Sequence, residues 1–146
     1  MPARTVSAVP PRSAKHETLQ PPGWPAPKGY ANGIKARGEF VFVGGMVGWD
    51  AKEKIVPGGL AAQFEQALAN VVAVVAEAGG RAEDVVRMLV FVTDKADYLA
   101  KRREIGDAWK RVMGRHYPAM ALVEVAGLVE DGAEVEIEAV AALAPR

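Results

Sequence analysis

The chain has 146 residues, a hydrophobic share of 50%, a charged share of 25% and a formal net charge of zero. That length holds one domain with a real core, and the neutral balance gives no electrostatic case for a nucleic acid or an anionic membrane as partner. Cysteine is absent and histidine occurs only at His16 and His116, so disulfides, thiol nucleophiles, cysteine-based zinc sites and histidine-rich metal centres are all disfavoured.

No apolar run approaches the ~20 residues that a bilayer-spanning helix needs. The opening Met1-Pro2-Ala3-Arg4 starts no hydrophobic signal segment, so a cytoplasmic location is expected. Residues 1–28 hold seven of the ten prolines. Proline fixes φ and lacks an amide proton, so this stretch is expected to be an extended arm, loose to about Thr18, with Trp24 packing its end onto the domain. The domain proper then covers 29–146.

Glu39–Val43 (EFVFV) reads as a buried strand ending in a tight approach at Gly44-Gly45. Gly58-Gly59 opens a helix in which Phe64, Leu68, Val71, Val75 and Ala78 recur at helical spacing, and Gly79-Gly80 closes it. Val85–Val92 (VVRMLVFV) is a second strand. Asp94 or Asp97 caps a second helix carrying Tyr98, Ile105, Trp109 and Val112 on one face, with Gly114 and Pro118 bracketing its end. Met120–Val125 and Glu134–Ala142 are two further strands, joined by a turn around Glu130–Gly132. The order predicts a two-layer α+β domain, a mixed sheet with two long helices. The helices cover one sheet face, and the bare face is expected to bury against another subunit.

Several of these segments, in order, resemble the Rid (YjgF) superfamily. Lys28-Gly29-Tyr30 resembles its N-terminal tyrosine motif, and Val41-Phe42-Val43-Gly44-Gly45 followed by Asp50 resembles its V-F-V-S-G-Q-x-x-x-D segment. Gln63 to Gly79 resembles its signature helix and Glu83–Asp94 its central strand. Tyr117-Pro118-Ala119-Met120 to Val125, with Val135 to Ala139, resembles its C-terminal motif. The resemblance implies a fold like chorismate mutase of the AroH type and a homotrimer whose sheets form a central barrel, with clefts between subunits. It also implies hydrolysis of reactive enamines and imines, such as 2-aminoacrylate, to ketones and ammonia without metal or organic cofactor.

The deaminating members of that family clamp the substrate carboxylate with an arginine inside P-A-R-S. Here Met120 holds that position, followed by Ala121 and Leu122. A thioether supplies neither the charge nor the bidentate fork of a guanidinium, so a bulkier or more apolar substrate is expected; apart from the resemblance, Met120 reads as core filling. Tyr98, Arg102, Ile105, Trp109 and Val112 follow a 4-3-4-3 spacing, and Arg102 is the one charge on that stripe. Its position resembles one where the deaminases place a site-lining asparagine. Either Arg102 takes over anion binding from the missing arginine, or it snorkels along the helix or pairs with a strand glutamate. Lys101 and Arg103 are expected to face solvent.

Glu134, Glu136 and Glu138 alternate with Val135, Ile137 and Ala139, which predicts all three carboxylates on one strand face. Glu136 resembles the family's site glutamate and is the candidate for positioning water; a charged row that keeps an edge strand soluble is the other reading, preferred for Glu134. Tyr30 either hydrogen-bonds a ligand or packs at a subunit interface. Gly44 takes the place of the family's site serine, offering backbone amides without a hydroxyl, or simply serves a bend. Met46, Trp49, Met120 and Leu122 are expected to make the pocket apolar, although Trp49 also reads as ordinary packing. His116 reads as a helix-end partner. The expected site is therefore Glu136 as catalyst, with Arg102, Tyr30, Gly44, Met120 and Leu122 binding a small-molecule substrate. The leading expectation is imine or enamine hydrolysis. A non-catalytic small-molecule-binding trimer is the alternative, and RNA cleavage the weakest reading.

Overall fold

In the computed structural model, residues 16–144 are described, and the expectation for residues 1–15 lies outside them. The elements in chain order are β1 (Glu17–Leu19), β2 (Gly33–Lys35), β3 (Glu39–Val47), α1 (Gly59–Glu77), β4 (Val85–Val92), α2 (Lys95–Ala100), α3 (Arg102–Met113), β5 (Ala119–Glu124) and β6 (Val135–Leu143). A single 3-10 turn at Ala82–Asp84 leads into β4. The main sheet runs β3-β6-β4-β5, with β4 and β5 parallel and the other pairs antiparallel. The predicted two-layer α+β arrangement with a mixed sheet is the one observed.

Alternation divides the sheet into two chemically distinct faces. Val135, Ile137, Ala139 and Ala141 of β6 are buried in one cluster with Met88, Val90 and Val92 of β4. Leu60, Phe64, Leu68, Val71 and Val75 close that cluster from α1, a stripe at helical spacing. Each such fully buried side chain stabilises the fold by roughly 1.5–3 kcal/mol. The glycine pair works as predicted at both ends of α1: Gly58 caps it with φ 113, and Gly80 N–H donates to Val75 O at 3.0 Å after the last turn.

The opposite face is bare. Phe40 and Phe42 are 56% and 76% exposed there, so Glu39–Val43, expected as a buried strand, packs on the core through one face only. Leu89 and Phe91 of β4 lie across from Glu138 and Glu136 of β6 on the same side.

Five further features differ from the expectations. Strand β1 lies inside the stretch expected to be loose; no proline occurs between Arg12 and Gln20, so Glu17–Leu19 are free to pair with β2. Trp24 is 59% exposed instead of packed down. Strand β3 does not stop at Gly44-Gly45 but shifts register there, between Val43 and Met46, and continues to Val47; glycines accommodate such a bulge. The second helix is two pieces, because Lys101 leaves helical geometry at φ −105, ψ 16. Finally, the 19 residues of α1 are long and apolar enough to cross a bilayer by length and composition. Its apolar stripe faces the sheet, however, and Gln63 and Asn70 are hydrogen-bonded within the domain, so it is a core helix.

Candidate functional site

A cavity of about 330 Å³ opens beside α2 and α3. Tyr98, Arg102, Ile105 and Trp109 of the predicted stripe all line it despite the break at Lys101. The break costs little alignment, since Lys101 N–H still bonds Asp97 O and Ile105 N–H bonds Lys101 O. Phe64 of α1 and Met120 of β5 supply further apolar wall. Met120 faces this side because it pairs with buried Met88 across the parallel ladder. Trp109 is fixed by its indole N–H donating to His116 O at 3.0 Å, and its ring stacks on Tyr117 with centroids 5.7 Å apart and planes 3° from parallel. His116 itself serves packing: its Nε2 sits 2.6 Å from Val85 O, and since a carbonyl only accepts, that nitrogen carries the proton.

The electrostatics of the cavity are one-sided. Arg102, Lys28 and Lys110 line it, and no acidic residue does. Among the described residues of one protomer, exposed Arg102 forms no ion pair, so no strand glutamate of its own chain partners it. Lys101, expected in solvent, is half-buried and pairs with Asp97 at 3.1 Å. Burial raises the Tyr98 phenol above its ordinary value, and the Arg102 charge works against that rise. Arg102→Ala is therefore expected to move the Tyr98 titration to still higher pH, read from tyrosinate absorbance. An unchanged titration would mean that the guanidinium does not act on the phenol.

Glu136 lies elsewhere. It stands opposite Phe91 and Val47 in the ladders, on the face away from the helices, half-buried and without a hydrogen-bond or ion-pair partner among the described residues. Its carboxylate rests over Gly45, where a Cβ would come within 2.6 Å of Oε1, so the bulge glycine makes room for it. Glu138 shares that face, but Glu134 does not continue the row. Glu134 precedes β6 and is held by α1: Gln63 Nε2 donates to its carboxylate at 3.1 Å and Gln63 Oε1 accepts its amide at 2.8 Å. Gln63 also donates to Gly132 O and is only 4% exposed. Gln63→Ala leaves those groups unpaired and is expected to cost about 1–3 kcal/mol, measurable as a lower urea midpoint with an unchanged slope.

The predicted site residues therefore separate within one protomer. Arg102 and Met120 meet in the cavity. Leu122 and Met46 pack against the core, and Trp49 bridges to Ile55. Gly44 sits at the exposed bulge with open space around it. Tyr30 lines a second cavity of about 490 Å³ with Trp24 and Arg115, and Tyr117 walls both cavities. Arg102 and Glu136 open on opposite sides of the sheet, so no pocket of one protomer holds both; the expected site, in a cleft between subunits, needs the two groups from different copies. Sequence reasoning missed Lys28, Lys110 and Tyr117 as lining residues. Lys110 follows the stripe residue Trp109 directly, whereas Lys28 is brought in by the fold of the arm and left no periodic signal.

The family described as endoribonuclease L-PSP matches residues 24–143, nearly the whole described chain. The chain belongs to that family. A RutC family protein of Pyrococcus horikoshii is 37% identical over 119 residues, covering 80% of this chain and 90% of that one. The 2-iminobutanoate/2-iminopropanoate deaminase of Capra hircus is 34% identical over 106 residues, covering 72% and 74%. A Rid family protein of unknown function from Yersinia pestis has a crystal structure that superposes with a TM-score of 0.77 at 28% identity, covering 88% of this chain and 98% of that one. Membership in the Rid superfamily, first suggested by the motifs from Tyr30 to Ala139, thus holds on both sequence and fold.

Proposed function

We propose that the protein hydrolyses an imine or enamine derived from an amino acid, in a cleft completed by neighbouring copies of a homotrimer in the cytoplasm. The observation that carries this reading is Arg102, a guanidinium without an ion-pair partner among the described residues, at a cationic, aromatic-lined cavity that also contains Met120. Family membership and the deaminase relative supply the reaction class. Arg102 binds the substrate's acid group in place of the family arginine. Glu136 of a neighbouring copy takes a proton from water as it adds to the C=N carbon and returns it to nitrogen; it then passes the proton of the new hydroxyl to nitrogen as the C–N bond breaks and the C=O bond forms, leaving ketone and ammonia. In this reading copies meet through the bare sheet face with Phe40 and Phe42, and the reading requires that the contact set one copy's Glu136 at the rim of another copy's cavity.

A second reading is a trimer that binds small molecules without chemistry: by the resemblance, uncharged Met120 stands at the position of the carboxylate clamp. RNA cleavage has no support in the neutral net charge. Imines generated in the assay by an amino-acid oxidase separate the first two. The deaminase reading expects faster release of ammonia and 2-oxo acid with the protein than without it. Binding of 2-oxo acids with no acceleration for any imine would leave the binding trimer.

A further inference from the structure

We infer that the cavity between α3, β5 and the arm selects an aromatic α-imino or 2-oxo acid, with the carboxylate at Arg102 and the aryl group among Phe64, Tyr98, Trp109 and Met120. The inference rests on the proposed reading for its chemistry, but the binding preference stands by itself.

Two properties of the cavity lead there. Its charge asks for an anion: Arg102, Lys28 and Lys110 line it with no acidic residue, and none of the three has an ion-pair partner among the described residues. Its walls ask for a large unsaturated body. Four aromatic rings line it, together with a thioether that makes favourable contacts with ring edges. Its volume of about 330 Å³ also falls at the size of a ligand pocket for a ring-bearing molecule. The smallest imino acids would leave most of that space to water.

The arrangement also assigns roles along the ligand. Arg102 has the planar fork that grips a carboxylate at two points. Like Arg102, Lys28 and Lys110 are exposed; as point charges they draw an anion to the opening. Gly106 lines the cavity with open space where a Cβ would stand, so no side chain narrows the cavity at that point.

The test is calorimetric titration of the full-length assembled protein with phenylpyruvate, indole-3-pyruvate and pyruvate, in wild type, Arg102→Ala and Arg102→Lys. The expected result is aryl acids bound at least about tenfold more tightly than pyruvate, a difference of ~1.4 kcal/mol. Arg102→Ala should abolish that binding, and Arg102→Lys should recover part of it. A Gly106→Leu variant narrows the cavity without touching its charge and should weaken the aryl acids more than pyruvate. Equal affinity for pyruvate and phenylpyruvate, or aryl binding untouched in Arg102→Ala, overturns the inference. Aryl-selective binding with no imine turnover keeps it and removes the deaminase reading. Turnover of small imines without aryl preference does the reverse.

Discussion

Glu136→Gln is expected to lower imine turnover by roughly 10²–10⁴-fold, the range that a positioned general base contributes. Glutamine keeps the side-chain shape over Gly45 and leaves the β6 ladder intact, but its amide cannot take a proton from water. The loss should fall on kcat, because in the proposed mechanism Glu136 moves protons while Arg102 holds the substrate's acid group. Affinity for 2-oxo acids should stay near wild type. Arg102→Ala should give the mirror pattern, with weakened binding and therefore a raised KM. Turnover in Glu136→Gln equal to wild type would remove Glu136 from the chemistry.

Gly48→Ala is expected to destabilise the fold by roughly 3 kcal/mol, the upper part of the usual range for overpacking. A Cβ there would stand 2.6 Å from Gln63 Cα and 2.7 Å from Gln63 O. These are backbone atoms of α1, so no rotamer change relieves the clash and the end of β3 must move off the helix. That movement would strain the seam just beyond it, where Asn70 Nδ2 donates to both Val47 O and Trp49 O at 3.0 Å, and Val56 N–H bonds Gly48 O at 2.9 Å. Gly44→Ala is the control, since nothing lies within 4 Å of its Cβ position. Thermal melts should show a clearly lower midpoint for Gly48→Ala and almost none of that loss for Gly44→Ala. Equal midpoints would mean the close approach of β3 to α1 is not present in solution.

The fold was legible where burial imposes a period. Phe64, Leu68, Val71 and Val75 repeat at helical spacing because α1 has one apolar side, and Val85–Val92 is apolar except for Arg87 because β4 lies between two strands, with alternate side chains fully buried. The stripe through Tyr98, Arg102, Ile105 and Trp109 predicted a shared surface, and that surface became a cavity wall. Irregular features were not legible. The bulge at Gly44-Gly45 resembled a strand end because glycine marks both, and the helix break at Lys101 involves no proline or glycine. Glu134 appeared to continue the carboxylate row until the side chain of Gln63, 71 residues away, captured it. Pairings over such separations leave no trace in local spacing. For the same reason Lys28 and Tyr117 joined the cavity unannounced, and alternation alone did not reveal that Arg102 and Glu136 lie on opposite sides of the sheet.

Subunit complementation tests the two-copy cleft most directly. Arg102→Ala and Glu136→Gln chains, each strongly impaired alone at a substrate concentration below the raised KM, would be unfolded together, reassembled into mixed trimers and assayed for imine hydrolysis there. If each site takes its guanidinium from one copy and its carboxylate from another, about one quarter of the clefts in an equal random mixture are intact and activity returns to that fraction. If the mixed trimers stay as inactive as the separate variants, the two groups do not serve one site across a subunit boundary.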